Sequence, residues 1–225
     1  MTPIVRRTDV GVLALQRFFS TEPAAALLAR LRPEEAAAAQ AWGERRRRTF
    51  AMGRLAAREA LAAFGAEVAL PILPDDRGAP RVPAPLCLSL SHKDEVAAAL
   101  VAASGAARVG VDVEPLTPRE HARDIAAHVL TEAERAELLP LDEDVRRREV
   151  LVRFALKEAL YKALDPFVRR YVGFLEVEAR PLGDDVGERN VELTLPAAER
   201  DAYRAEGRLL LVDELAVALV RVARR

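Results

Sequence analysis

Arg108-Val109-Gly110-Val111-Asp112-Val113-Glu114 sets the hardest constraint on how this chain can fold. Successive side chains of a strand point to opposite faces, so Val109, Val111 and Val113 share one face while Gly110, Asp112 and Glu114 share the other. Two carboxylates therefore point the same way, and either their face is a solvated edge or they hold something. About forty residues later Phe154-Ala155-Leu156-Lys157-Glu158-Ala159-Leu160-Tyr161-Lys162 lies inside a helical pattern from Asp142 to Leu164. Helix positions i, i+3, i+4 and i+8 share a face, which makes Phe154, Lys157, Glu158 and Lys162 one stripe with a carboxylate between two ammonium groups. The expectation is that Asp112, Glu114 and Glu158 converge on one hard divalent cation, with Lys157 and Lys162 beside it for phosphate charge.

At 225 residues the chain is long enough to bury a real core, as one domain or two small halves. Its apolar fraction is 51% with only 5% aromatic residues, so that core must be mostly Ala, Leu and Val. A formal net charge of -1 gives no global basic field and argues against a nucleic-acid binder. The single cysteine, Cys87, excludes an internal disulfide framework and clustered zinc sites. A reducing, cytoplasmic setting is expected. No apolar h-region follows the N-terminus and no stretch approaches the ~20 apolar residues of a membrane span, so neither export nor insertion is expected.

In chain order, Val10 to Gln16 reads as a first strand and Pro33 to Gly65 as one long helix or two in succession, since Gly43 and Gly53 are weak points within it. Residues 71–85, with five prolines and Gly78, read as a loop. Three apolar runs follow, near residues 86–90, 96–102 and 108–114, and read as an antiparallel meander. Pro115 and Pro118 suggest a boundary after Glu114, giving halves 1–114 and 115–225. A helix is expected from Pro118 to Leu130. Another starts at Thr131, where Thr131 and Glu134 have the capping-box spacing. The long helix is expected to close at Asp165-Pro166, and the remainder reads as β near 171–179, 191–195, 208–213 and 215–222.

Carboxylate oxygens select Mg²⁺ or a similar hard ion, which keeps waters and takes phosphate oxygens, so a phosphate or pyrophosphate ester is the expected substrate. Ser91-His92, at the end of the first apolar run, would offer a hydroxyl, an imidazole and backbone N–H groups to an anion. Each motif also has a plain structural reading: a polar strand edge for Asp112 and Glu114, an exposed helix face for Lys157, Glu158 and Lys162, a strand-end histidine for His92. Trp42 and Cys87 read as packing residues, and His121 with His128 as surface or packing residues with no partner to complete a zinc pattern.

Gly78-Ala79-Pro80, Leu90-Ser91-His92, Gly110-Val111-Asp112-Val113-Glu114 and the helix Phe154 to Lys162, in that order and spacing, resemble the Sfp-type 4'-phosphopantetheinyl transferases, specifically the EntD-like branch. The resemblance implies an α+β fold, a pseudo-dimer of two similar α/β halves, each a small mainly antiparallel sheet packed with helices, with coenzyme A in the cleft between them. It implies transfer of 4'-phosphopantetheine from coenzyme A to a serine of an apo acyl or peptidyl carrier protein, releasing adenosine 3',5'-bisphosphate. It also implies a monomer. By motif position Asp112, Glu114 and Glu158 match ligands of Mg²⁺, with Mn²⁺ as an alternative. His92 matches a contact to the 3'-phosphate, Lys157 and Lys162 match phosphate-binding lysines, and Glu158 and Lys162 are the candidates for proton handling. Ser91, Arg54, Arg58 and Arg81 complete the expected coenzyme contacts; Arg77 or Arg81 would supply the charge missing at Ala79, where family members often carry a basic residue. Arg119, Arg123 and Arg135 are candidates for carrier contacts. A non-catalytic scaffold that holds coenzyme A or a carrier is the alternative reading, and a different Mg²⁺-dependent nucleotidyl transferase is disfavoured because no G-x-x-x-x-G-K-[ST] loop is present.

Overall fold

The computed structural model describes residues 2–67, 69–117, 122–183 and 187–225, and the side chains of all of these except residues 122–124. The chain divides into two compact units, Met1–Gly105 and Ala106–Arg225. Both are α+β, each an antiparallel sheet with one long helix across a face.

In the first unit, strands β1 (Ile4–Arg7), β2 (Val12–Arg17), β3 (Leu86–Lys93) and β4 (Val96–Ala103) form a sheet in the order β1-β2-β4-β3. Its helices are α1 (Ala24–Leu28), α2 (Pro33–Ala39) and α3 (Glu44–Phe64). The two-helix reading of Pro33 to Gly65 holds, since the chain breaks between Gln40 and Gly43. Gly53 is accommodated inside α3, and Gly65 ends it at φ 88°, a left-handed conformation that costs glycine no Cβ clash. Phe50, Met52, Leu55 and Leu61 of α3 pack with Ala97, Ala99 and Val101 of β4 and Leu88 of β3. Strand β1 and helix α1 have no clear local pattern in the sequence. Both are short, and β1 is exposed along its length.

The second unit contains β5 (Ala107–Pro115), α4 (Ala122–Val129), α5 (Glu132–Leu138), α6 (Glu143–Val168), a single 3₁₀ turn at Phe174–Glu176, then β6 (Glu178–Pro181), β7 (Glu188–Thr194), β8 (Tyr203–Val212) and β9 (Leu215–Arg224). The sheet order is β5-β9-β8-β7-β6. The expected three-strand meander is therefore corrected. β3 and β4 do form a hairpin, but β5 leaves it and pairs with β9 from Ala107↔Ala223 to Pro115↔Leu215. The division between units falls at 105/106 instead of after Glu114, because the short turn at Ser104-Gly105 leads into a different sheet and not into a hairpin. The helix expected from Pro118 begins, among the described residues, at Ala122; Pro118 to His121 lie outside them.

Pro166 does not close α6. It has no N–H for the Lys162 carbonyl and its ring crowds that carbonyl, yet the helix runs on to Val168, ending where Arg169 turns left-handed at φ 48° with its N–H on Asp165 O at 2.8 Å. Ala155, Ala159 and Ala163 repeat at four-residue spacing along α6, are fully buried, and cluster with Ala216, Ala218 and Val220 of β9. Among the described residues no helix is long and apolar enough to cross a membrane.

Gly110 is where β5 meets this helix. A Cβ on residue 110 would fall 1.8 Å from the carbonyl oxygen of Ala159 and 2.9 Å from the nitrogen of Ala163, both backbone atoms. Gly110→Ala should therefore force α6 off the strand and cost at least about 2–3 kcal/mol, read as a lowered urea midpoint, whereas Gly53→Ala inside α3, whose Cβ would meet only Leu90 Cδ1 at 3.7 Å, should leave the midpoint at or above that of the parent.

Candidate active site

Since Gly110 faces α6, strand alternation puts Asp112 and Glu114 on that same side of β5. Their ladder partners Ala218 and Ala216 belong to the core cluster under α6. Asp112 is 3% exposed and Glu114 5% exposed. Lys162 donates from Nζ to Asp112 Oδ1 at 2.7 Å and to the Val111 carbonyl at 3.0 Å. A lysine stem on a helix leans toward the helix N-terminus, so the Lys162 ammonium is carried back toward the turn that bears Glu158, one turn earlier on the same face. Lys162 and Glu158 are each partly open to solvent. The strand and the helix thus present two carboxylates on one side and a carboxylate with an ammonium on the other.

The donor set is oxygen-only and fits the chemistry of a hard ion. As the side chains stand, however, no three His, Cys, Asp or Glu groups among the described residues are gathered closely enough to hold a metal. The expected convergence of Asp112, Glu114 and Glu158 is present as facing elements, not as an assembled ligand cage.

Lys157 departs from its expected place beside Lys162. It is 1% exposed, and its ammonium donates to Glu134 Oε2 at 2.6 Å, Val129 O at 2.7 Å and Phe174 O at 3.0 Å. Three acceptors saturate an ammonium's three donors, so in this structure the fold itself holds the Lys157 ammonium. Burial lowers its pKa from the ordinary lysine range, with the bond to Glu134 opposing that fall. Glu134 is the capping-box residue legible in the sequence: its Oε2 accepts the Thr131 N–H at 2.9 Å, and its Oε1 accepts the Ala179 N–H at 2.9 Å. One carboxylate thus caps α5, anchors β6 and neutralises Lys157. The capping pattern was the available signal for this residue; its second duty was not visible locally. Phe154 packs at 5.5 Å, centroid to centroid, from Phe174, in keeping with its expected packing role.

In the first unit, Arg54 and Arg58 are also drawn into the fold. Arg54 is 7% exposed, donates from Nε to Ile72 O at 3.0 Å and lies with its guanidinium 3.8 Å from the Phe50 ring centre. Arg58 donates from Nη2 to Glu35 Oε2 at 2.6 Å, and Glu35 is completely buried. These bonds make a network that ties α2, α3 and the chain near Ile72 together. Ser91 and His92 both lie inside β3, which extends to Lys93, and pair with Ala98 and Ala97. Adjacent strand positions face opposite ways, and accordingly Ser91 is buried while His92 is exposed. They do not form one compact anion site as expected. Arg81 and Arg77 are at the surface, flanking a turn in which Asp75 Oδ1 accepts the N–H groups of Arg77 and Ala79 at 2.8 and 2.9 Å. Trp42 packs edge-on against Phe50 at 5.1 Å. Cys87 is buried, and His128 is exposed. Arg135 is exposed on α5, while Arg119, His121 and the side chain of Arg123 lie outside the described residues.

The two lysines of the motif should separate experimentally. Lys157→Met leaves Glu134 buried without its cation and should cost about 3–5 kcal/mol of stability. Lys162→Gln keeps a donor for Asp112 and should cost no more than about 1–2 kcal/mol. Urea unfolding of the two variants measures the difference.

The family described as the 4'-phosphopantetheinyl transferase N-terminal domain matches residues 33–102, and that described as the 4'-phosphopantetheinyl transferase superfamily matches residues 108–220. The chain is 34% identical to the 4'-phosphopantetheinyl transferase Npt of Nocardia iowensis, over 76% of this chain and 79% of that protein. It is 33% identical to the 4'-phosphopantetheinyl transferase Svp of Streptomyces mobaraensis, over 85% of this chain and 78% of that protein. Among solved structures, a holo-(acyl-carrier-protein) synthase from Bacillus anthracis, in complex with CoA (3',5'-ADP), is 28% identical over 52% of this chain and 96% of its own, with a TM-score of 0.42. On the matches over both units and the two relatives, the chain belongs to the 4'-phosphopantetheinyl transferase superfamily.

Proposed function

We propose that this chain transfers the 4'-phosphopantetheine group of coenzyme A to a serine of an apo acyl or peptidyl carrier protein. The observation that carries the reading is the face-to-face placement of Asp112 and Glu114 on β5 with Glu158 and Lys162 on α6, joined by the Lys162–Asp112 bond. Family membership says which chemistry such a face serves.

In the reaction the serine oxygen bonds to the phosphorus that carries pantetheine. The bond from that phosphorus to the bridging pyrophosphate oxygen breaks, and adenosine 3',5'-bisphosphate leaves with the electron pair. Transfer of this kind depends on positioning and charge neutralisation more than on covalent help. Lys162 is the cation placed to receive charge developing on the phosphates, since part of it reaches solvent while Asp112 and the Val111 carbonyl hold its ammonium in place. Glu158, partly open on the same helix face, or Lys162 would take the serine proton. Asp112, Glu114 and Glu158 are the residues that would hold Mg²⁺ or Mn²⁺. When bound, such an ion supplies Lewis-acid polarisation of phosphate oxygens. His92 and Arg81, both exposed in the first unit, remain proposed contacts to coenzyme A.

For the carrier we propose a docking surface along α5, the turn after it and the first turn of α6. Arg135 is exposed there, followed by the exposed apolar side chains Leu139, Leu141 and Val145. A cation beside apolar side chains suits an acidic amphipathic helix. We also take the enzyme to act as a monomer in the cytoplasm, where the buried Cys87 would stay reduced.

Incubation with coenzyme A, Mg²⁺ and an apo carrier should raise the carrier's mass by one phosphopantetheine. Binding of coenzyme A and carrier with no mass gain across several carriers would favour the scaffold reading instead. Asp112→Ala should lower the transfer rate at least about 100-fold, the scale expected when a principal electrostatic group is removed, while far-ultraviolet circular dichroism stays that of the parent. Chelation by EDTA should abolish transfer, and added Mg²⁺ or Mn²⁺ should restore it.

A further inference from the structure

Only two residues of α5, Glu134 and Leu138, are buried. Leu138 packs with Val129, Leu130 and Val150, but apolar contact is non-directional, so one leucine fixes neither the rotation nor the register of a helix. Charge supplies the direction. Glu134 and Glu137 stand three positions apart on α5, and Arg153 and Lys157 four apart on α6, so each couple shares one face of its helix. Glu134 Oε2 lies 2.6 Å from Lys157 Nζ, and Glu137 Oε2 lies 3.0 Å from Arg153 Nη2. The later acid of α5 thus meets the earlier base of α6.

Arg153 is 2% exposed and also donates from Nη1 to Glu149 Oε2 at 2.7 Å. Arg180 of β6 reaches the same Glu137 carboxylate at 3.3 Å, and Arg189 of β7 comes within 3.8 Å of Glu149. Sliding α5 by one turn would part a buried guanidinium and a buried ammonium from their carboxylates, which is far more costly than sliding apolar side chains over one another. The two pairs therefore fix the register of α5 along α6. That register has a functional side, because Arg135 lies between the two glutamates and Leu139 just beyond them, and both are exposed.

We propose that Arg153 is a positioning residue for the carrier: through Glu137 it sets the register at which α5 presents Arg135 and Leu139 relative to Glu158 on α6. This rests on the transferase reading and on the docking surface given above. Arg153 acts through α5 alone and touches neither substrate.

Arg153→Met and Glu137→Gln break the pair from opposite sides. Each leaves its neighbours a second partner, since Glu137 keeps Arg180 and Arg153 keeps Glu149. With apo carrier varied at saturating coenzyme A, each variant should raise the carrier KM at least about fivefold, while the KM for coenzyme A stays within about twofold of the parent. The double variant should be no worse than the poorer single one, as expected when both changes remove one interaction. Leu61→Ala, which truncates a buried side chain of the first unit, controls for lost stability and should leave both KM values unchanged at temperatures where it is folded. Glu137→Gln is the milder change and carries the prediction if Arg153→Met does not fold. A parent chain that neither binds nor modifies an apo carrier overturns the transferase reading and this inference together. With an active parent, an unchanged carrier KM in the variants overturns the inference alone. So does an equal rise in both KM values, or a rise that Leu61→Ala reproduces.

Discussion

The carbonyl oxygen of Ala159 occupies the space that any side chain on residue 110 would need. Backbone against backbone at this one point sets the height of α6 above β5. The alanines at 155, 159 and 163 extend the close approach along the helix, and Ala216 and Ala218 extend it across to β9. Had α6 ridden a few ångströms higher on bulkier residues, the Lys162 ammonium could not reach both Asp112 and the Val111 carbonyl. The reach of Lys162 to Asp112 therefore rests on small residues with no polar side chain of their own, and their role is steric.

Burial sorts the charged residues of the helical motif into two kinds. Lys157 and Lys162 are five residues apart and carry the same headgroup, yet Lys157 is closed in by Glu134 and two carbonyls while Lys162 keeps part of its surface in solvent. A buried ammonium must be fully satisfied by the protein or it will not remain charged. Lys157 meets that condition, and in doing so fastens α4, α5 and the 3₁₀ turn to α6 through Val129, Glu134 and Phe174. A lysine closed into the fold and a lysine partly open to solvent can thus sit in one short motif. Arg54 and Arg58 make the same point in the first unit, where a basic pair turns inward to Glu35 and the Ile72 carbonyl.

Much of this was legible in the residues alone. Alternation in Arg108 to Glu114 gave the correct facing of Gly110, Asp112 and Glu114. Thr131 and Glu134 gave the start of α5, and the family likeness was carried by the two motifs together. Long-range pairing was not legible. β5 has the local pattern of a third meander strand, and only its nine-residue register with β9 shows where it belongs. Nor does helical spacing tell which of several residues on adjoining positions turns inward: 3.6 residues per turn put Lys157 near the stripe of Glu158 and Lys162, but the partner that draws it in comes from α5. Adjacency in sequence suggests one site for Ser91 and His92, but the pleat of a strand that runs on to Lys93 sends them to opposite faces.

The partition at 105/106 matters for anyone who cuts this polypeptide into pieces. A fragment that begins after the acidic strand would remove the outermost ribbon of the five-stranded sheet and leave β9, an almost entirely buried run of Leu, Ala and Val, with a raw hydrogen-bonding border of the kind that recruits neighbouring molecules into aggregates. A fragment opening at Ala106 carries that border's natural cover with it.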